Sequence, residues 1–382
     1  MATENRDSPT LPGLVPVQEG GTEVLLPASA PRSSSRGPAH RAPVFYNRAM
    51  GLSRDLHVAV VEALAARVGR PLRIWDALAA SGVRGLRACS ETRGVELLIA
   101  TDLQPQAVAV LSENVRRLGL DNALARSADA HVVPPEAPFD LVDLDPYGSP
   151  MPFLETALDA LRPGGVLGIT ATDMPVLAGP QRTACERRYG ARPLRNYLCR
   201  EAGLRILLAA VARAAALRGR NVRPLLSYAR DHHVRSYLEL GPARGDEPLP
   251  VGSVPFEGYQ GPPLPHGTKG GPLWTGNLHH RDLVRSLEPP RSPSDPEGLR
   301  AWMACLKEEA EVDVLFYYSS GEVGKLLHLP RLPPLAAVLA GLRARGWRSG
   351  PTPMDNASWR TDAPWSVVKG VVQDLVDGEI AR

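Results

Sequence analysis

The period of hydrophobic and polar positions changes several times along the 382 residues, and each change marks an element. "VPVQEGGTEVLLP" (15–27) alternates on both sides of Gly20-Gly21, which predicts two short strands joined by a turn. "ASAPRSSSRGPAHRAP" (28–43) has no period and predicts an exposed, mobile basic segment. Leu56, Val60 and Leu64 then fall at helical spacing, predicting a helix capped by Ser53 and stopped at Gly69. Beyond it, strands predicted at 72–79, 95–103, 123–130, 139–145 and 166–173 alternate with helices at about 83–91, 105–119 and 151–165. A long helix over about 196–218 leads to two further strands in "VRPLLSYARDHHVRSYLEL" (222–240). Such alternation means βαβ units and a doubly wound, Rossmann-like α/β sheet.

Beyond about residue 242 the texture becomes Gly/Pro-rich up to 276. Helices near 295–311 and 333–346 and a strand over 312–320 predict a smaller α+β C-terminal domain, winged-helix-like or ferredoxin-like. The expected organisation is N-terminal strands and a basic segment over 1–43, a main domain over 44–241 and a C-terminal domain over 242–382.

Composition narrows the classes. The longest apolar run, 206–217, is broken by Arg213 and falls short of the roughly 20 residues of a membrane span. "MATENRDSPT" lacks a basic-then-apolar leader, so no membrane association and a cytoplasmic location are expected. Cys89, Cys185, Cys199 and Cys305 are scattered without CxxC spacing, against a disulfide framework or a zinc ribbon. Net charge is only +3, yet Gln181 to Tyr237 holds thirteen Arg, no Lys and three acids. A block of that kind predicts a footprint for a polyanion such as a nucleic acid.

Sheets of this class bind ligands at the carboxyl ends of their strands. Asp76, Asp102, Asp129, Asp145 and Asp173 all fall at or near such ends. The first turn, "DALAASGVRG" (76–85), lacks G-x-G-x-x-G spacing, and Asp76 would repel a pyrophosphate. A carboxylate there suits a cationic ligand such as S-adenosyl-L-methionine, with Asp102 placed for ribose hydroxyls and Asp129-Ala130 for the adenine amino edge.

"FDLVDLDPYGSP" (139–150) delivers a carboxylate, a proline and an aromatic ring at the fourth strand end. Asp145-Pro146-Tyr147 resembles the [DNS]-P-P-[YFW] signature of enzymes that methylate exocyclic amino groups. The lone pair of an aromatic amine is delocalised into its ring. A carboxylate accepting the N–H lets the nitrogen pyramidalise and can take its proton. The Pro146 carbonyl can take the other N–H, and the Tyr147 ring can stack on a base held out of its helix.

"VFYNRAMGLSRDL" (44–56), "DALAASGVRGLRACSE" (76–91), "DLDPYGSPMPFLETAL" (143–158), "GITATD" (168–173), "RNYLCREAGLRILL" (195–208), "GGPLWTG" (270–276) and "RTDAPW" (360–365) resemble, in order, the tRNA (guanine-26-N2)-dimethyltransferases, the Trm1 family. The resemblance implies a class I methyltransferase sheet. It also implies S-adenosyl-L-methionine-dependent mono- and dimethylation of guanine 26 in tRNA, with guanine 27 a further target in some relatives. It puts the cofactor contacts on Arg54, Arg84, Asp102, Asp129 and Ala130, the catalytic carboxylate on Asp145, and the base-sandwiching rings on Phe45 and Tyr147. Spacing alone reads Arg54 as an exposed first-turn helix residue and allows Arg84 as an ordinary surface residue.

Many family members carry a cysteine pair before "GGPLW". This chain has none in "YQGPPLPHGTKGGPLW" (259–274), and His266 alone cannot make a tetrahedral site. No metal is therefore expected, and Trp274 with the prolines should hold the loop. A methyltransferase for another exocyclic amine, in ribosomal RNA or DNA, should lack "GGPLWTG" and "RTDAPW". A catalytically inactive RNA-binding relative is opposed by the intact Asp145, and a nicotinamide-dependent enzyme by Asp76 and the missing glycines. The expected partner is tRNA, acted on by a monomer.

Overall fold

A computed structural model describes residues 13–28, 44–242, 248–257, 259–312 and 314–380; all but Ala28 of the expected mobile segment lies outside them. The N-terminal hairpin pairs β1 (Leu14–Glu19) with β2 (Thr22–Pro27), bringing Glu19 opposite Thr22. After α1 (Gly51–Val68) come β3 (Leu72–Asp76), α2 (Val83–Glu91), β4 (Val95–Asp102), α3 (Pro105–Leu118), β5 (Ala123–Ser127), β6 (Phe139–Leu144), α4 (Leu154–Asp159) and β7 (Leu161–Ala171). Then follow α5 (Met174–Leu177), α6 (Arg182–Tyr189), α7 (Cys199–Ala216), β8 (Arg220–Arg230) and β9 (His233–Pro242).

β3 to β9 form one sheet of order β5-β4-β3-β6-β7-β9-β8, the Rossmann-like architecture expected from the alternation. β3 lies parallel between β4 and β6, so the winding reverses there, and this switch point is where such sheets take ligands. Every residue of β6 is buried, as a strand covered on both faces requires.

The chain divides into two compact units, Met1–Ile169 with Ser286–Ala301, and Thr170–Arg285 with Trp302–Arg382. In the first, Trp75 stacks on Phe139 with ring centroids 6.1 Å apart, inside a core that includes Ile74, Leu98, Ile99, Leu141 and Val142. In the second, α7 is apolar on nearly all sides and nearly all buried. This unit also contains β10 (Val251–Val254) paired with β11 (Gly270–Trp274). The later elements are α8 (Arg281–Ser286), α9 (Pro296–Glu309), β12 (Tyr318–Ser319), α10 (Ser320–Leu326), α11 (Leu335–Ala344), β13 (Ser349–Pro351), β14 (Ser358–Thr361) and α12 (Trp365–Ile380). β12, β14 and β13 make a three-stranded antiparallel sheet in that order, with two helices between its first two strands in sequence. That is the winged-helix order, not the βαββαβ order of the ferredoxin-like alternative.

Three elements depart from expectation. Ser53 is buried inside α1, which starts at Gly51 after a turn capped by the Asn47 side chain; Gly69 stops the helix as predicted, with φ +77°. The helix expected over 151–165 is only α4, because Leu161–Gly165 belong to β7. There Phe139 pairs with Leu161 and Leu141 next pairs with Val166, so Arg162–Gly165 form a wide bulge that Pro163 could not have continued as helix. The strand expected over 312–320 shrinks to β12, since Phe316 turns to φ +66° and interrupts any extended run.

Candidate active site

The switch point brings two sequence-selected carboxylates to neighbouring strand ends. Asp76 closes β3, paired in register with Asp143 of β6, and Asp145 follows β6 directly. Gly85 lets α2 approach: a Cβ there would meet Leu98 at 2.9 Å and the Asp76 carboxylate at 3.2 Å. Asp102, at the end of β4, accepts the Ala80 N–H at 2.9 Å and the Gln104 N–H at 2.8 Å. It therefore pins the β3–α2 turn, where Ala80 adopts φ +49°. Asp129 accepts the His131 N–H at 2.9 Å and faces its ring Nδ1 at 2.7 Å, and these contacts hold its carboxyl below the usual range. Ala130 is buried beside it. Asp173 is occupied otherwise, accepting the Tyr189 hydroxyl at 2.7 Å and Arg188 at 3.2 Å, which anchors α6.

Arg84, which spacing also allowed as an ordinary surface residue, is 7% exposed. Its Nη2 donates to Asp145 Oδ2 at 2.5 Å, and its Nε lies 3.2 Å from Asp143 Oδ2. After the half-buried Asp145, Pro146 is buried and Tyr147 is thrown outward, 71% exposed. Gly148 completes the turn at φ +98°. Phe45, 38% exposed, faces Tyr147 with ring centroids 6.4 Å apart and planes 59° to one another. A base between two rings needs about 7 Å, twice the roughly 3.4 Å rise of stacked bases. The observed gap is near that value, so rotation of two exposed side chains is enough to open a slot.

Arg54 also corrects its spacing-based reading, because it is buried. Its Nε and Nη2 donate to the two Glu19 oxygens, each at 2.5 Å, and Nη2 also donates to the Asn47 carbonyl at 2.9 Å. The Tyr46 hydroxyl donates to Glu19 at 2.7 Å. Arg87 binds Glu19 at 3.1 Å, Asp55 at 2.6 Å and Glu91 at 2.7 Å. Burial alone would raise the Glu19 carboxyl, but Arg54, Tyr46 and Arg87 outweigh it and hold it at about 2. Glycine at position 20 adopts φ +60°, and a Cβ there would lie 2.1 Å from the Arg87 guanidinium and displace it from this network. The network thus clamps Tyr46 and Asn47, which immediately follow Phe45. Glu19 and Tyr46 were missed in the sequence, where an acid beside Gly-Gly looks like any hairpin end.

In the second unit three distant motifs meet. Arg205 of "RNYLCREAGLRILL" donates to the Trp274 and Gly276 carbonyls of "GGPLWTG" at 3.0 and 2.9 Å, and to Glu201 at 2.7 Å. Arg360 of "RTDAPW" pairs with Glu201 at 3.0 Å and Glu309 at 2.7 Å. Trp274, at the end of the cysteine-free loop, is buried and its Nε1 donates to the Asn277 carbonyl at 2.9 Å. Among the described residues no group of three or more His, Cys, Asp or Glu could hold a metal ion.

A mostly parallel doubly wound sheet, with carboxylates at its switch point and an Asp-Pro-aromatic turn beside them, defines a class I methyltransferase fold. The chain belongs to the family of N2,N2-dimethylguanosine tRNA methyltransferases, whose profile matches residues 30–247 and 265–373. A tRNA (guanine(26)-N(2))-dimethyltransferase of Thermococcus kodakarensis is 36% identical, covering 95% of this chain and all of the relative. One from Methanospirillum hungatei is 34% identical, covering 93% and 98%. The solved structure of Trm1 from Pyrococcus horikoshii with S-adenosyl-L-methionine superposes with a TM-score of 0.81 at 28% identity, covering 94% of this chain and all of that one.

Proposed function

We propose that this chain transfers methyl groups from S-adenosyl-L-methionine to the exocyclic N2 of guanine 26 in tRNA, giving N2-methyl- and N2,N2-dimethylguanosine; whether guanine 27 is a second target is decided by the transcripts described below. The observation that carries this is Asp145 at the switch point, beside the exposed rings of Phe45 and Tyr147. Bound S-adenosyl-L-methionine supplies an electrophilic methyl group on a sulfonium. Each Asp102 oxygen accepts one backbone N–H and has a second lone pair for a ribose hydroxyl. Asp129 and Ala130 would meet the adenine edge, and Asp76 and Arg84 the amino-acid end. Arg54 joins this set through the Tyr46–Asn47 segment that its guanidinium holds.

Phe45 and Tyr147 stack on the extruded guanine and hold N2 in line with the methyl group. Asp145 accepts one N2 hydrogen and the Pro146 carbonyl the other, so the nitrogen lone pair leaves the ring system. The N–CH₃ bond forms as the C–S bond breaks, and the N2 proton passes to Asp145 and then to water. Monomethylated N2 retains one hydrogen, so the same acceptor serves a second transfer.

The arginine block supports tRNA binding only in part. Arg205 and Arg235 are buried, Arg223 pairs with Glu239, Arg182 with Glu186 and Arg188 with Asp173. Arg187 on α6 and Arg195 after it are exposed and are the best phosphate contacts. Reversing both to Glu should weaken tRNA binding and lower the slope of log K against log salt by about two. An unchanged slope would remove this surface from the footprint. Residues 242–382 would complete the grip on tRNA, and the enzyme would act as a monomer in the cytoplasm. No helix among the described residues is long and apolar enough to cross a membrane.

The decisive test is transfer of labelled methyl groups to tRNA transcripts carrying guanine or adenine at positions 26 and 27, followed by nucleoside analysis. Label should appear in N2-methylated guanosine and vanish when both positions are adenine. Label elsewhere, or none, would overturn the proposal.

A further inference from the structure

We infer that Arg84 is a positioning residue for methyl transfer: it orients the Asp145 carboxylate and keeps it ionised. This rests on the proposed role of Asp145 and goes beyond the cofactor contact that the resemblance implies for Arg84.

The geometry is specific. One guanidinium spans two carboxylates of the same strand end, with Nη2 on Asp145 Oδ2 at 2.5 Å and Nε 3.2 Å from Asp143 Oδ2. Asp143 is 1% exposed and Asp145 23% exposed. Asp76 is buried on the neighbouring strand, in register with Asp143. Three acids, Asp76 from β3 and Asp143 and Asp145 from β6 and its turn, therefore share this corner with the Arg84 guanidinium from α2. Tyr147 follows on the exposed side.

Without the cation, neighbouring carboxylates in a poorly solvated corner raise each other's proton affinity. A protonated Asp145 could no longer accept the N2 hydrogen. The planar guanidinium also fixes the rotation of the Asp145 carboxylate by holding one of its oxygens. Arg84 itself is set by α2, whose first residues sit close over Asp76 because position 85 is glycine. Cofactor contact alone would not require the Asp143 and Asp145 contacts.

The experiment is a pH profile of single-turnover methyl transfer at saturating S-adenosyl-L-methionine and tRNA, with affinity for each measured separately. Wild-type activity establishes the reaction first; its absence would defeat the proposed function and not this inference. Arg84→Met should move the acid limb of the rate upward by about one pH unit or more, the scale of a lost neighbouring opposite charge. Arg84→Lys keeps the charge but loses the fork, so its acid limb should stay near wild type while the rate at neutral pH falls about tenfold or more. Adding Asp143→Asn to Arg84→Met removes one repelling acid and should bring the limb back toward wild type. Thermal unfolding of each variant confirms that it is folded at the pH values used. If both Arg84 variants only weaken S-adenosyl-L-methionine binding, with the acid limb and the saturated rate unmoved, the inference is wrong.

Discussion

Asp145→Asn should slow methyl transfer by about 10²- to 10⁴-fold, the range typical of removing a general base. Affinity for tRNA should change by no more than a few-fold, because the lost interaction develops at the transition state. The amide matches the carboxylate in shape and can still accept from Arg84, so the fold and the Arg84 contact should be retained. What it loses is the charge that takes the N2 proton. Single-turnover rates with labelled S-adenosyl-L-methionine, beside equilibrium tRNA binding, separate the two effects. A variant methylating at near wild-type rate would remove Asp145 from the chemistry.

Arg360→Met should have the largest effect on stability, and it lies outside the proposed active site. Arg360 is 2% exposed and stands between Glu201 and Glu309, both fully buried. Burial would raise the Glu309 carboxyl, but Arg360, His279 and Thr352 hold it at about 2. Removing the cation takes one partner from each of two buried carboxylates, leaving Glu201 to Arg205 and Glu309 to Thr352 and His279; breaking a buried ion pair in this way costs about 3–5 kcal/mol. At roughly 2–4 °C per kcal/mol, the midpoint of thermal unfolding should fall by about 10 °C. Denaturant unfolding measures the loss directly, and a midpoint within a degree or two of wild type would contradict it. Arg360→Met combined with Glu309→Gln should recover part of the loss, because the buried acid left without a permanent cation is then neutral.

Much of the first unit was legible from period alone. The helices α2 and α3 and the strands β3, β4 and β6 fall where apolar spacing and glycine stops predicted them. Asp76, Asp102, Asp129 and Asp145 followed from one rule about strand ends. What failed was whatever depended on a partner. The β7 bulge depends on the register against β6, and Ser53 lies inside a helix whose start is set by the preceding Asn47-capped turn. The α6 helix has a polar sequence and a buried Cys185 and Tyr189, with too little apolar period to announce itself.

Charge was the least legible property. In the sequence every arginine of the block between 181 and 237 counts equally, yet Arg205 and Arg235 are buried while Arg187 and Arg195 meet solvent. Spacing alone made Arg54 a surface residue and allowed the same for Arg84, and both are buried against carboxylates. Glu19 reaches Arg54 across 35 positions and Arg84 reaches Asp145 across 61.

By itself the sequence determined the alternation that builds the doubly wound sheet, the aspartates at its strand ends and the Asp145-Pro146-Tyr147 turn, because backbone periodicity and turn chemistry are local. Only the tertiary structure decided that Arg84 pairs with Asp145, that Glu19 holds the segment after Phe45, and that Arg360 joins Glu201 to Glu309. Ion pairing acts over a few ångströms of space and carries no signature in sequence spacing.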